Sequence, residues 1–381
     1  MSNWKRLAFL VAFIVPVLAV AGYYLGGGFN FLTFAVVFGV LPILDVLVGS
    51  DPSNPDEADV GGLQQEFYFR FLTYVWAWIQ FALVLWSLWE VQTHTLTWLE
   101  SVGFVLAIGI NTGGIGITVA HELGHRNTKI EQWYSKFILM TVCYMHFFIE
   151  HNRGHHINVS TDGDPATSKK GESFYSFYPR TLKGSLTDAW HLEKKRLEKK
   201  GRSVWTLENE MITSIIVPVS FIGIVLGVFY AITGNLKWEV PVFFLVQSWI
   251  AFSLLELVNY IEHYGLKRLE VSPGKFEKVL PIHSWNQNFA VSNAFLFHLQ
   301  RHSDHHANAG RRYQSLRHFE ESPQLPYGYT VMILIALVPS LWYRMMDWRL
   351  ENWKQKYYGS ADGDKRRKDS DAMQKGKVAV V

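Results

Sequence analysis

The sequence predicts an all-α integral membrane protein, with six transmembrane helices and a helical cap on the cytoplasmic side. Three observations carry that prediction. Of the 381 residues, 49% are hydrophobic and 15% aromatic, and the mean hydropathy is +0.05, too apolar for an ordinary soluble chain. Six stretches approach the roughly 20 apolar residues that cross a bilayer: 7–26, 29–48, 71–89, 102–120, 212–232 and 240–261. The basic residues are also one-sided. With the amino terminus inside, the outward connections near 27–28, 91–101 and 233–239 contain only Lys237 of the 36 Lys and Arg, as the positive-inside rule requires.

Taken in order, the first stretch follows Lys5-Arg6 and ends near Ala19-Val20-Ala21, which has the look of a cleavable leader, but its continuous apolar length favours a retained span. The second ends in an acidic loop, 51–59, containing Pro52 and Pro55. Two further apolar runs, 137–148 and 329–342, are short for a crossing. If 137–148 crossed, a membrane would separate His121 and His125 from His151, His155 and His156; if 329–342 crossed, the basic run Lys365-Arg366-Arg367-Lys368 would lie outside. Both read better as interfacial or re-entrant segments. The polar segment 157–209 is an insertion between the fourth and fifth spans. The expected organisation is a single membrane domain, 1–360, with its cap at 121–210 and 263–360 and a disordered tail at 361–381.

The formal net charge of +3 reflects the one-sided basic face, and no basic, aromatic-interleaved repeat suggests a nucleic-acid surface. Cys143 is the only cysteine, so neither an internal disulfide nor a cysteine-ligated cluster can form, and any redox chemistry must draw electrons from another chain. Gly114-Ile-Gly116 lacks the strand and third glycine of a dinucleotide fingerprint; close packing of small residues between helices explains it better.

Nine of the fifteen histidines fall into four groups beside apolar stretches: His121-Glu-Leu-Gly-His125, His151-Asn-Arg-Gly-His155-His156, Asn259-Tyr-Ile-Glu-His263-Tyr-Gly265 and His302-Ser-Asp-His305-His306. Residues three and four apart share a helix face, so each spaced group can aim its imidazoles at one point. Nine imidazoles exceed what one four- to six-coordinate ion can use, which predicts a dimetal site in the cap. The neighbouring carboxylates Glu122, Glu150, Glu262 and Asp304 are candidates to hold the outer imidazole nitrogens. Glu256, two turns before His263, and Asp45 are ionisable groups inside spans and so also candidates. His94, His146, His191, His283, His298 and His318 share no spacing and read as structural, although His298 lies four residues before His302. Taken alone, His121-Glu122-x-x-His125 is a zinc-protease pattern with Glu122 as general base, but that reading leaves the other groups unexplained. Surface or capping histidines are the remaining alternative.

These four groups, with the Asn259-Tyr-x-Glu262-His263-Tyr-Gly265 element in particular, resemble the membrane-bound alkane 1-monooxygenases of the histidine-box desaturase and hydroxylase group, over most of the chain to about Leu316. The resemblance implies two non-haem iron ions held by His121, His125, His151, His155, His156, His263, His302, His305 and His306. It implies insertion of one oxygen atom of O2 into a terminal methyl group of an alkane, in a bacterial inner membrane with the metals on the cytoplasmic side. It also implies electrons from a separate rubredoxin, itself reduced by a rubredoxin reductase. An alkane has no polar handle, so a narrow apolar channel is expected to choose the end carbon by shape, with Phe38 and Trp249 as lining candidates. Lys169-Lys170 and Arg311-Arg312 are the expected docking charges. A fatty acyl desaturase or hydroxylase of the same group is the nearest alternative, and a non-catalytic metal-binding membrane protein the one of different class.

Overall fold

The computed structural model describes residues 2–358; the tail expected at 361–381 lies outside them. Six helices are long and apolar enough to cross a membrane: Asn3–Leu25, Gly27–Val48, Phe67–Thr93, Trp98–Gly124, Glu210–Thr233 and Glu239–His263. They are called here the first to sixth spans. The protein is a multi-pass membrane protein, mostly helical, with its histidine groups gathered at one end of the bundle.

The fourth span is the pillar. It starts at a capping box that the sequence Thr97-Trp-Leu-Glu100 spells out: Glu100 N donates to Thr97 Oγ1 at 3.3 Å, and Thr97 N to Glu100 Oε2 at 2.9 Å. Of its most apolar window 78% is buried, against 22% for the second and fifth spans, which show most of their surface to lipid. Glycines bring the neighbours close. A Cβ on Gly109 would sit 2.5 Å from Ile250, one on Gly113 2.6 Å from the Ala251 backbone, and one on Gly116 1.9 Å from Gln80 Oε1. Without a hydrophobic force between helices in lipid, such backbone approach and interhelical hydrogen bonds supply the packing energy. Accordingly Thr112 Oγ1 donates to Gln247 Oε1 at 3.0 Å, and the Gln247 and Gln80 amides both donate to Thr141, at 2.8 Å.

Neither short apolar run crosses by itself. Lys129–Met140 folds back along the end of the fourth span, where Ser135 Oγ donates to Ala120 O at 2.6 Å. Tyr329–Ala336 and Pro339–Tyr357 meet at a bend of 120°, the geometry of a broken span or of a re-entrant segment. The insertion expected at 157–209 is dominated by one helix, Phe174–Glu198, which packs on the sixth span and on Phe147–Glu150. One departure from an all-helical chain is a two-stranded hairpin, Glu270–Ser272 with Lys275–Phe276, turned by Pro273-Gly274, where Gly274 has φ +72°.

Candidate metal centre

Two helix ends and two short helical segments converge on the site. The fourth span ends in His121, followed by His125, and the sixth ends in His263. Gly265, at φ +70°, lets the chain turn sharply after it. His151–His155 forms one wide turn with i→i+5 bonding, a distortion that recurs at functional sites, and His302–Ala307 is a single buried turn and a half.

The nine imidazoles form two clusters. His121, His125, His151, His156 and His305 make one; His155, His263, His302 and His306 make the other. Within each, one ring nitrogen from every residue lies within 4.8 Å of all the rest. In the five-membered cluster Nε2 of His151 is 3.0 Å from that of His125 and 3.1 Å from that of His156, which is 3.1 Å from that of His305. In the four-membered cluster Nε2 of His306 is 2.8 Å from that of His302 and 3.3 Å from that of His155.

Such convergence fits a cation and little else. Between two neutral imidazole nitrogens only one hydrogen can be shared, and His121 Nε2 is buried without a hydrogen-bond partner among the described residues. Protonation does not resolve it. Burial, followed by the charges that neighbouring imidazoles would carry, pushes His151, His156, His302, His305 and His306 well below the usual imidazole range. Neutral, inward-facing and buried lone pairs are the donor set of transition-metal sites, and five plus four of them suit two ions.

The carboxylates around the rings are only partly those nearest in sequence. Asp164 Oδ2 lies 2.9 Å from His155 Nδ1, and is itself held by Thr167 Oγ1. This buried residue, nine positions after His155, escaped the sequence analysis because no helical spacing relates the two: the chain turns at Val159–Ser160 to bring it back. Glu262 does reach the site, with Oε2 3.0 Å from His302 Nε2 and Oε1 accepting from Tyr329 OH at 2.7 Å.

An apolar cavity reaches these clusters. His121 and His151 of the larger cluster and His302 of the smaller are part of its lining, with Glu262. Its walls are Val37 and Phe38 of the second span, Ile110, Gly113 and Gly114 of the fourth, and Leu254, Leu255 and Val258 of the sixth. Its volume is about 60 Å³, several times the 10–15 Å³ or so that a cavity needs to hold one water.

Residues 96–336 match the family model for fatty acid desaturase. The chain is 46% identical to an alkane 1-monooxygenase 2 of Pseudomonas aeruginosa over 83% of its own length and 82% of that protein's. It is 40% identical to an alkane 1-monooxygenase of Pseudomonas putida, over 92% and 86% of the two chains. The chain belongs to the alkane 1-monooxygenase branch of the fatty acid desaturase family. A more distant relative, at 26% identity over 91% of this chain and 90% of the other, is the hydroxylase component of a Pseudomonas putida xylene/toluene monooxygenase. As a member of this branch the protein is an oxidoreductase.

Within this branch member, several residues expected at the metals lie elsewhere. Asp304 touches no imidazole: it accepts from Asn308 Nδ2, Arg311 Nη1 and Arg317 N at 2.7–2.8 Å and so holds the loop that follows the last histidines. Glu256 braces the cap, accepting from Tyr144 OH at 2.8 Å and Thr181 Oγ1 at 2.9 Å. Glu122 pairs with Arg126 at 3.2 Å and meets no ring nitrogen at hydrogen-bond distance among the described residues. Glu150 is buried but meets no ring nitrogen at hydrogen-bond distance; burial beside Asp164 and Glu256 pushes it well above the usual carboxylate range. Asp45 accepts from Ser292 N at 2.8 Å, tying the second span to the cap. His298 packs on Phe9 and faces Tyr313 O at 3.0 Å. Of the two aromatics proposed for a channel, Phe38 lines the cavity, whereas Trp249 is 54% exposed on the lipid-facing surface.

The expected docking charges are also largely engaged. Lys170 pairs with Glu351 at 2.6 Å, Arg311 with Asp304 at 2.8 Å, and Arg312 with Glu131 at 2.8 Å. Lys169 is exposed, with no ion pair among the described residues.

Proposed function

We propose that this protein hydroxylates alkanes at the terminal carbon to primary alcohols, using O2 and two iron ions, with electrons from a separate rubredoxin reduced by its reductase. The observation that carries the reading is an apolar cavity whose lining includes His121, His151 and His302, imidazoles of both clusters. The relatives, alkane 1-monooxygenases by name, point to the same substrate class. In this reading the nine clustered histidines hold the irons, and the clusters face the cytoplasm of a bacterial inner membrane, in keeping with the one-sided basic residues.

Bound iron, reduced from outside, supplies the activation of O2 and of an unactivated C–H bond. The rest is done by this chain. The apolar walls bind the alkane by shape alone and bring it against the clusters. Displacement of water by apolar walls strengthens every electrostatic contact there. Asp164 fixes the tautomer and plane of His155. Tyr329 holds Glu262 with one carboxylate oxygen against His302, where it can accept or return a proton beside the reacting carbon.

The test is metal analysis of the purified protein and chromatography of products from dodecane with O2, rubredoxin and reductase. Two irons per chain and 1-dodecanol are expected. Zinc in place of iron, or an alkene product, overturns the reading.

A further inference from the structure

We infer that Gly114 is a specificity-determining position, at which the bare backbone makes room for the distal part of a long substrate chain. The inference rests on the alkane reading above. It comes from a contrast within one helix. Gly109, Gly113 and Gly116 of the fourth span each have a neighbour where a Cβ would go, at 2.5, 2.6 and 1.9 Å, so they are glycines because other spans press on them. Gly114 has nothing within 4 Å of that position. No packing constraint accounts for it, and it is the glycine that pairs open space with a place in the cavity wall, which it shares with Phe38 and Leu254.

Its depth gives the space a use. Gly114 precedes His121 by seven residues, so it stands about 10 Å from the histidine end along the helix axis at roughly 1.5 Å per residue. A short alkyl chain with its end at His121 lies below this level, while a long one must pass it. Gly114 also sits within the wide turn Asn111–Ile117, which directs Gly113 toward Ala251 while leaving Gly114 open. The first carbon of a side chain placed there meets no protein atom within 4 Å, so a small substitution takes substrate room before it disturbs the fold.

The experiment compares G114F with the unmodified full-length protein in membranes, supplied with octane and hexadecane together, by chromatography of the alcohols. The ratio of hexadecanol to octanol is expected to fall by at least about tenfold, the scale on which single groups discriminate in an apolar pocket. Phe substituted for Gly39, which likewise meets nothing but lies on the exposed side of the second span, is expected to leave the ratio unchanged. Should G114F fail to fold, judged by bound iron, G114A and G114V take its place, with a graded fall in the same ratio. An unchanged ratio in an iron-loaded variant overturns the inference, as does an equal loss on both hydrocarbons. Failure of the underlying reading is seen separately, in the unmodified protein oxidising neither hydrocarbon.

Discussion

His155 and His156 are neighbours in the chain but belong to different clusters, with Nε2 of His155 3.3 Å from that of His306 and Nε2 of His156 3.1 Å from that of His305. His305 and His306 split in the same way. Each pair is therefore a bracket between two metal positions, and the clusters share both segments of backbone.

One consequence concerns ligand removal. H155A and H156A should each lower bound iron and each reduce alcohol formation by about two orders of magnitude or more, the scale on which loss of one catalytic group acts. The double variant should be little worse than either alone, because groups acting as a unit are not additive. Iron per chain and product yield check this; full iron and turnover in the single variants would refute the assignment.

The outer hydrogen bonds separate Asp164 from Asp304. Asp164 faces His155, so D164N should weaken iron affinity by about 10- to 100-fold, measured by competition with a chelator. Asp304 holds only loop groups, so D304N should lower thermal stability while iron affinity stays within about threefold of the parent, far short of that range. Equal effects of the two on iron affinity would show that the geometric distinction does not matter.

Stability of the metal-stripped protein should fall with acid. The folded values of His151, His156, His305 and His306 are depressed by burial, so the unfolded chain binds more protons than the folded one below the ordinary imidazole range. Stability then rises with pH across that interval: the apo protein should melt progressively lower from about pH 7 toward pH 5, with the loss beginning near the unfolded value of about 6.5. A melting temperature flat over that range would count against neutral, buried rings.

Adjacent glycines should behave oppositely in the fold. G113A drives a methyl to within 2.6 Å of the Ala251 backbone and should cost about 1–3 kcal/mol, seen as a lower melting temperature in detergent. G114A meets nothing and should leave the melting temperature within about a degree or two of the parent, a few tenths of a kcal/mol or less.

Charge reversal should distinguish docking from architecture. K169E, at an exposed position, should raise the apparent Michaelis constant for rubredoxin, more so at low salt, with iron content unchanged. R312E would leave Glu131, 1% exposed, facing a like charge and should destabilise the protein by about 3–5 kcal/mol. Rubredoxin-dependent turnover that ignores both salt and K169E would remove Lys169 from the interface.

What the sequence determined by itself was whatever repeats at short range. The six spans show as runs of apolar residues, and the nine histidines as spacings of three and four, because bilayer thickness and helix pitch impose those lengths locally. Tertiary structure decided the rest. The five-and-four division joins residues such as His155 and His306, 151 positions apart along the chain, and no helical period relates them. Asp164 reaches His155 through a turn, and Tyr329 reaches Glu262 across 67 residues, while Asp304 and Glu256, adjacent to the histidines or on their face by spacing, turn to other partners. Gly113 and Gly114 are indistinguishable as letters. One is pressed against Ala251 and the other opens into the cavity, a difference that arises only when the fourth and sixth spans meet, since a side chain's surroundings are set by what packs against its helix and not by the helix itself.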